Sequence, residues 1–422
     1  MIGEDNYNTY KTNQKLVREK LPVQELALGM YVVELDRPWL ETPFSLQGFL
    51  VSSREEIEQL QEYCDFVFID VTQTTFEHRE KRKTRTSVKN RRVYKVSLEK
   101  ALPSAASSMT FAKDAIDSCL SALRLSQDID VASIKTAVQE CIQSVVLNPN
   151  AMLWLTQIKN KDDYTAEHCV RVSVLAVALG RELELMEADL ESLGVAAMLH
   201  DVGKIKIPDQ VLNKAGALKP EEYALMKTHA EHGRRLLMSQ SDVPATAVDV
   251  AGNHHEFING KGYPKGITGN KISYFSKIVS VVDAFDAITS DRVYSNARST
   301  LEGLRILYEC RGEQFDEEIV RAFTRLIGVY PPGHIVELNN GEVGIILSCE
   351  RNNKLRPTIL IVRNSDKKHC PERVIDLSKD LKDANGQPLR VKHIFTDGAF
   401  GVCLEVYKNK GLRIKVEDAK DT

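Results

Sequence analysis

The spacing of apolar residues divides the chain into stretches of different character. Between residues 17 and 75, apolar runs at 30–35, 49–52 and 66–69 predict strands, and residues 54–63 have the three- and four-residue spacing of a helix. Short strands around one helix are typical of a small α/β unit. We therefore expect residues 1–78 to form a small α/β domain, for which a regulatory role is one interpretation.

Helical spacing dominates the middle of the chain. Apolar residues recur at helical intervals from 97 to 158, with a break at Asn148-Pro149-Asn150, and the pattern continues over 163–330. We expect a basic linker at 79–104 and a helical neck at 105–162. Such a neck could form a homodimer contact, or it could simply pack onto the next domain.

The last part of the chain changes character again. Apolar runs at 335–338, 344–347, 358–362 and 402–406 predict strands, and Asn339-Asn340-Gly341 predicts a turn. Residues 331–422 should therefore form a small β-rich region. The predicted fold class is mainly α, with a small α/β domain before the helices and this β-rich region after them.

Composition narrows the function classes. The chain has 422 residues, a net charge of -3 and eight scattered cysteines without a CxxC pair. The charge argues against a general affinity for DNA or RNA, and the cysteines exclude a zinc knuckle and fit reduced thiols. Because we find no signal-like or bilayer-length apolar run, we expect a soluble, cytoplasmic protein without a membrane span.

Two further features have alternative explanations. The basic run at 76–96 could bind nucleic acid or a membrane surface, but a solvated linker is favoured because no aromatic residues interleave with the charges. Trp39 lies between two predicted strands. It could stack on a ligand, but a plug of a small core is the favoured interpretation.

The candidate chemistry is a cluster of histidines and carboxylates. Six of the ten histidines fall between residues 168 and 255, in apolar helical segments. His200 and Asp201 follow an apolar run, and the two oxygens of Asp201 could bridge two cations, although this pair alone could equally mark a helix end. Burying so many polar groups needs shared compensation, which a metal pair would supply. Imidazole and carboxylate donors suit iron, manganese, zinc or nickel.

The order of these residues resembles a known family. His168, His200-Asp201-Val202-Gly203-Lys204, His229, His254-His255-Glu256, Gly262-Tyr263-Pro264 and Asp283 follow the pattern of the HD-GYP family of the HD metal-dependent phosphohydrolase superfamily. The resemblance covers about 165–315. The stretch containing LALGMYVVELDRPWLETPF is similar to the uncharacterised domain often found upstream of such modules.

The resemblance implies an activity. It predicts an HD-type all-helical catalytic domain at 163–330 that acts in bacterial second-messenger signalling. The expected reaction is hydrolysis of a 3′,5′-cyclic dinucleotide, cyclic di-GMP or 3′,3′-cyclic GMP-AMP, to the linear dinucleotide by attack of a metal-bridging hydroxide. The expected cofactors are two divalent metal ions, iron or manganese first, with nickel or zinc as alternatives.

The resemblance also implies roles for individual residues. Lys204 should contact the substrate phosphate and the attacking water, and forms the catalytic group with His200 and Asp201. His232 matches nothing in the family and is expected to be structural. The implied metal ligands are His168, His200, Asp201, His229, His254, His255 and Asp283, with Asp201 as the bridge. The implied substrate-binding residues are Lys204, Gly260, Gly262, Tyr263, Pro264, Asp286 and Arg292.

Three positions depart from the family pattern. Tyr164 replaces a glutamate that supports a third metal in some relatives, so we expect two metals and a reaction that stops at the linear product. Asn259 replaces an aspartate before Gly260, and Ser295 replaces a basic residue. Both changes could affect recognition of base and phosphate, so cyclic GMP-AMP stays open as the substrate.

Two other functions remain as alternatives. The chain could be a cyclic-dinucleotide receptor or scaffold that signals to partner proteins through its N-terminal domain with little turnover. Alternatively, it could hydrolyse another phosphoester, as other HD proteins do, although Gly262-Tyr263-Pro264 argues against that. The intact His200-Asp201 pair favours the enzyme.

Overall fold

The computed structural model describes most of the chain, in two compact units at 1–91 and 92–422. The described residues are 18–26, 30–37, 42, 49–51, 54–70, 96–159, 164–240, 242–290, 297–349, 355–379, 381–383 and 385–412. The interpretations of Trp39 and of the basic run up to residue 95 lie outside these residues. The five finer domain boundaries stay predictions.

The first unit contains an antiparallel sheet with strand order β1-β4-β2-β3. Val32, Leu60 and Val67 lie in its core and are fully buried. The predicted helix and three of the strands are confirmed, whereas β1 was missed because Arg-Glu-Lys-Leu-Pro has no apolar alternation. The elements are β1 (Arg18–Pro22), β2 (Tyr31–Leu35), β3 (Phe49–Leu50), α1 (Arg54–Tyr63) and β4 (Phe66–Asp70).

The second unit is largely helical and has one extended apolar core. Among its described helices, none combines the length and apolar character that a bilayer crossing requires. The helices are α2 (Leu98–Arg124), α3 (Val131–Leu147), α4 (Pro149–Leu155), α5 (Tyr164–Glu182), α6 (Glu187–Leu199), α7 (Asp209–Leu212), α8 (Pro220–Lys227), α9 (His229–Met238), α10 (Ala245–Asn253), α11 (Tyr274–Thr289), α12 (Thr300–Glu309) and α13 (Glu317–Ile327).

Helices α2, α3 and α4 occupy the stretch predicted as a neck. The predicted break is confirmed: the Asn148 side chain accepts a hydrogen bond of 3.0 Å from the Asn150 amide, and Pro149 begins α4. Helix α2 begins at Leu98, inside the predicted linker. Helices α2 and α3 pack on α5 and α6, so they share the core that supports the histidines. The homodimer contact stays a prediction.

A five-stranded antiparallel sheet with order β8-β7-β6-β5-β9 follows the helices. The predicted turn is confirmed, with Gly341 at a φ of +87°. The strand predicted at 402–406 is wrong: α14 (Leu404–Lys410) begins there, and it buries Leu404 and Tyr407 at helical spacing. Strands β8 and β9 were missed because few of their side chains are buried. The strands are β5 (Ile335–Leu338), β6 (Val343–Ser348), β7 (Thr358–Arg363), β8 (His369–Asp376) and β9 (Val391–Phe395).

Candidate metal centre

Apolar helices deliver the histidines and carboxylates to one buried place. The second half of helix α6 is buried. This packing positions His200 and Asp201, which directly follow the helix. His168 lies on the buried face of α5, and Asp283 lies on the buried face of α11. His229 begins α9, and His254 and His255 directly follow α10. Core packing thus determines the position of each polar group.

Asp201 is at the centre of the cluster. Its Oδ2 atom lies 3.5 Å from His168 Nε2 and 3.4 Å from His200 Nε2. Its Oδ1 atom lies 3.5 Å from His229 Nε2 and 3.8 Å from His254 Nε2. The two carboxylate oxygens therefore face different pairs of imidazoles, which is the arrangement that a bridging carboxylate requires.

The donor atoms around this carboxylate form two separate groups and a third, His200, Asp201 and His254, that overlaps both. In each group, all the donor atoms lie within 4.8 Å of one another. Asp283 Oδ1 lies 3.1 Å from His168 Nε2 and 3.8 Å from His200 Nε2. The first ligand group is His168, His200 and Asp283, and the second ligand group is His229, His254 and His255.

The hydrogen bonds of the imidazoles fit metal binding. The Nδ1 atoms of His200, His229 and His254 donate to the backbone carbonyls of Ala197 at 2.7 Å, Met226 at 2.7 Å and Val250 at 2.9 Å. Because a carbonyl only accepts, each Nδ1 carries the proton and each Nε2 keeps its lone pair.

Two buried atoms of the cluster also lack a hydrogen bond. His200 Nε2 and Asp201 Oδ1 have no hydrogen-bond partner among the described residues. Buried polar atoms of this kind are costly unless a ligand satisfies them. The donor set therefore fits a pair of divalent cations.

The charges in the cluster also favour the binding of cations. Burial lowers the pKa of His168, but hydrogen bonds to Asp201, Asp283 and Asp286 outweigh it and raise the pKa to about 10. Burial opposes the charge of the Asp201 carboxylate too, yet Lys204 and His200 hold its pKa well below the usual range. At His254, burial and the neighbouring His200 and His229 outweigh the nearby carboxylates and lower the pKa to about 3. The carboxylate side of the site thus attracts positive charge.

Lys204 reaches the centre from the short 3-10 helix Val202–Lys206. Its ammonium donates to Asp201 Oδ2, and 17% of its side chain is exposed, so it borders both the carboxylate and the open side of the site. Gly203 makes this position possible. A Cβ atom there would lie 2.0 Å from the carbonyl oxygen of His229 and 2.3 Å from the amide nitrogen of Gly233. Only glycine allows this backbone approach.

The loop around Gly262-Tyr263-Pro264 packs against the second ligand group. The Tyr263 ring stacks on the His255 ring with centroids 4.6 Å apart. A Cβ atom at Gly262 would lie 2.5 Å from the His255 carbonyl oxygen, so this backbone approach also requires glycine. The Tyr263-Pro264 peptide bond is cis, and Gly260 has a φ of +77°. The loop thus packs against His255 through Gly262 and Tyr263.

Asp286, which is predicted to bind substrate, is buried against other side chains of the protein. This carboxylate is 1% exposed. Its Oδ2 lies 2.7 Å from His168 Nδ1, and Arg171 donates to both oxygens at 2.8 and 3.0 Å. Because the Asp286 carboxylate faces His168 and Arg171, it is placed to orient the His168 ring, and its contact with substrate stays a prediction.

Other predictions concern residues on the edge of the site. Arg292 and Ser295, and the side chain of Tyr164, lie outside the described residues. His232 is partly buried on α9 and belongs to neither ligand group. The Asn259 side chain accepts a hydrogen bond of 3.0 Å from the Lys261 amide, as expected for a turn-forming residue.

Sequence reasoning missed several supporting residues. Glu256 accepts hydrogen bonds from the amides of Lys265 at 2.7 Å and Ile267 at 3.1 Å, and so folds the loop after the paired histidines. Lys227 places its ammonium 5.8 Å from the Tyr263 ring centre and 5.1 Å from that of Tyr223. Lys227 lies two residues before His229 in the sequence, and this short separation could have marked it as a neighbour of the site.

Three family models match the chain in succession. A domain of unknown function (DUF3391) matches residues 18–134, the HD domain matches 149–319, and a KOW domain associated with the HD domain matches 335–383. This order agrees with the N-terminal sheet, the helical metal centre and the C-terminal sheet.

Characterised proteins resemble the chain to different extents. A cyclic di-GMP phosphodiesterase of Pseudomonas aeruginosa is 35% identical over 370 residues, which cover 86% of this chain and 89% of that protein. A cyclic di-GMP phosphodiesterase of Thermotoga maritima is 38% identical over 39% of this chain and 45% of its own length. A 3′3′-cGAMP-specific phosphodiesterase of Vibrio cholerae is 34% identical over 40% of this chain and 37% of its own length.

Proposed function

Because the chain belongs to the HD-GYP family of cyclic-dinucleotide phosphodiesterases, we propose that it hydrolyses cyclic di-GMP to the linear dinucleotide. It is an enzyme that cleaves a phosphodiester bond of a cyclic dinucleotide. Cyclic di-GMP is the first choice of substrate because the relative that matches most of the chain acts on it. 3′,3′-cyclic GMP-AMP is the second, because the Vibrio cholerae relative acts on that molecule.

The position of Asp201 between the two ligand groups carries this proposal. His168, His200 and Asp283 would hold one divalent ion, and His229, His254 and His255 would hold another, with Asp201 shared. The proposed ions are iron or manganese, with nickel or zinc as alternatives. When bound, such ions activate water and neutralise phosphate charge.

The side chains around the ions would do the rest. The Lys204 ammonium would donate to a phosphoryl oxygen as negative charge develops there. The packing of Tyr263 on His255 would keep the loop in place beside the substrate. Asp286 would hold the His168 ring in the orientation and tautomer that ligation needs. With Tyr164 in place of a third-metal glutamate, we expect the linear dinucleotide to be the final product.

We place this activity in the cytoplasm. All eight cysteines are free, and four of them are buried, which suits a reducing compartment. We also retain the proposal of signalling partner proteins for the N-terminal domain.

The test of the function is a product assay. Metal-free protein is loaded with iron or manganese under reducing conditions and given each cyclic dinucleotide. We expect linear product from cyclic di-GMP, slower turnover of cyclic GMP-AMP and no product after chelation. Chromatography of the products is the measurement. Tight binding of both substrates without any turnover in metal-loaded protein would support the receptor alternative instead.

Replacing Lys204 by Gln should lower kcat without loss of the bound metal ions. Loss of one charged donor to the transition state should lower kcat about 100-fold. Metal content should stay near that of the unchanged protein, because no donor atom is removed. Lys206→Gln is the matched control, since Lys206 is exposed on the same 3-10 helix. A kcat of Lys204→Gln within a factor of about two of the control would rule out this role for Lys204.

A further inference from the structure

The two ligand groups are chemically unequal, and we propose that they bind divalent cations in sequence, with the first ligand group as the tighter site. Asp286 and Arg171 act there as positioning residues for His168. This inference rests on the proposed two-metal function and adds an order of binding to it.

The first difference is the number of carboxylate oxygens. The first ligand group combines two imidazoles with Asp283 Oδ1, and Asp201 Oδ2 lies beside the same imidazoles. The second ligand group has three imidazoles and, among the carboxylates that the structure describes, Asp201 Oδ1 as the neighbouring oxygen. A hard cation such as Mn²⁺ prefers charged oxygen donors, so it should favour the first group.

The second difference lies behind the imidazoles. The Nδ1 atoms of His200, His229 and His254 face neutral backbone carbonyls. His168 Nδ1 faces the Asp286 carboxylate at 2.7 Å. A carboxylate partner raises the basicity of the ligating nitrogen more than a carbonyl does. His168 is therefore the strongest imidazole donor of these four.

Arg171 holds this carboxylate in place. Its Nε donates to Asp286 Oδ1 at 2.8 Å and its second terminal nitrogen donates to Oδ2 at 3.0 Å, a bidentate arrangement. Arg171 is 3% exposed. Lys159 adds a second cation 3.8 Å from Oδ1. These contacts compensate the buried charge of Asp286, whose Oδ2 also accepts a hydrogen bond of 3.4 Å from Ser290 and faces His168 Nδ1.

The second ligand group differs from the first in the burial of one histidine. His255 is partly buried, whereas His168 and His200 are fully buried. Besides the His254 and His229 rings, the His255 ring contacts Tyr263, which is itself partly exposed. A cation there should exchange faster than one in the first group.

The experiment is a titration of the full-length, metal-free protein with Mn²⁺. Isothermal titration calorimetry and the electron paramagnetic resonance signal of free Mn²⁺ are the readouts. We expect two binding events whose dissociation constants differ at least about tenfold. Asp286→Asn should weaken the tighter event by about 10- to 100-fold and leave the weaker one in place. Arg171→Lys, which keeps the charge but loses the bidentate geometry, should give a smaller shift in the same event.

A second variant tests the assignment from the other side. His255→Ala should remove the weaker event and preserve the tighter one, whether or not Asp286→Asn folds. Arg181→Gln is the matched control for Arg171→Lys: it lies on α5, and its guanidinium donates to the Val145 carbonyl, away from the cluster. It should leave both events unchanged. Circular dichroism checks the fold of each variant.

Some outcomes would overturn the inference. Two indistinguishable events in the unchanged protein would do so, as would loss of the tighter event in His255→Ala. Hydrolysis is measured in parallel on the same samples. Two sites of equal affinity with normal turnover would contradict the binding order but not the proposed function. Ordered binding without turnover would contradict the proposed function but not the binding order.

Discussion

Asp201→Asn is expected to abolish hydrolysis of cyclic di-GMP and to reduce the bound metal. The substitution keeps the shape of the side chain but removes its charge and one strong acceptor. Both ligand groups face this carboxylate, so both lose a shared anionic oxygen at once. Metal ions supply several kcal/mol of transition-state stabilisation, and about 4 kcal/mol corresponds to roughly a thousandfold in rate. We expect a decrease in kcat/KM of at least that size.

The measurements are kcat/KM and the metal content of the purified protein. The control is Asp189→Asn, the same exchange at an exposed position on α6, the helix that leads into the site. It should behave like the unchanged protein in both measurements. Turnover in Asp201→Asn within a factor of about ten of this control, with two ions bound, would contradict the bridging role.

The sequence predicted the fold class because most helices and several strands have clear periodicity. Asn148 and Pro149 marked a helix boundary through local chemistry that tertiary packing did not alter. The errors fall where local pattern is ambiguous. Val402–Val406 is apolar enough for a strand, but burial of Leu404 and Tyr407 three residues apart selects a helix.

The candidate site could be predicted as a set of residues but not as an arrangement. The motif supplied the donor types and their order, and these side chains do meet around Asp201. The resemblance assigned Asp283 to the metal and Asp286, one turn further along the same helix, to the substrate, but it could not show which side chains Asp286 contacts. Only the structure places Asp286 against Arg171 and the Nδ1 side of His168.

Replacing Gly203 by Ala should destabilise the protein and disassemble the site together. The new Cβ would meet the His229 carbonyl oxygen at 2.0 Å and the Gly233 amide nitrogen at 2.3 Å. These are backbone atoms within packed α9, so the 3-10 helix must move away from α9. We expect a loss of about 3 kcal/mol or more in the free energy of unfolding.

The same displacement should impair chemistry in the molecules that remain folded. Gly203 lies between Asp201 and Lys204, and the 3.5 Å approach of Asp201 Oδ1 to His229 Nε2 depends on this contact. A misplacement of about 1 Å can cost roughly 100-fold in rate. Thermal unfolding, metal content and kcat measured below the transition separate the two effects.

Gly252→Ala is the control for this substitution. Its Cβ would lie 2.9 Å from Cδ of Arg234, a side-chain atom that can move, and the residue is inside α10, where alanine is favoured over glycine. Its stability should change by about 1 kcal/mol or less. If Gly203→Ala had the same unfolding temperature and kcat as this control, the backbone of α9 would have to move more easily than its packing indicates. A loss confined to Gly203→Ala would instead show that close backbone approach, as well as the donor atoms, builds the metal centre.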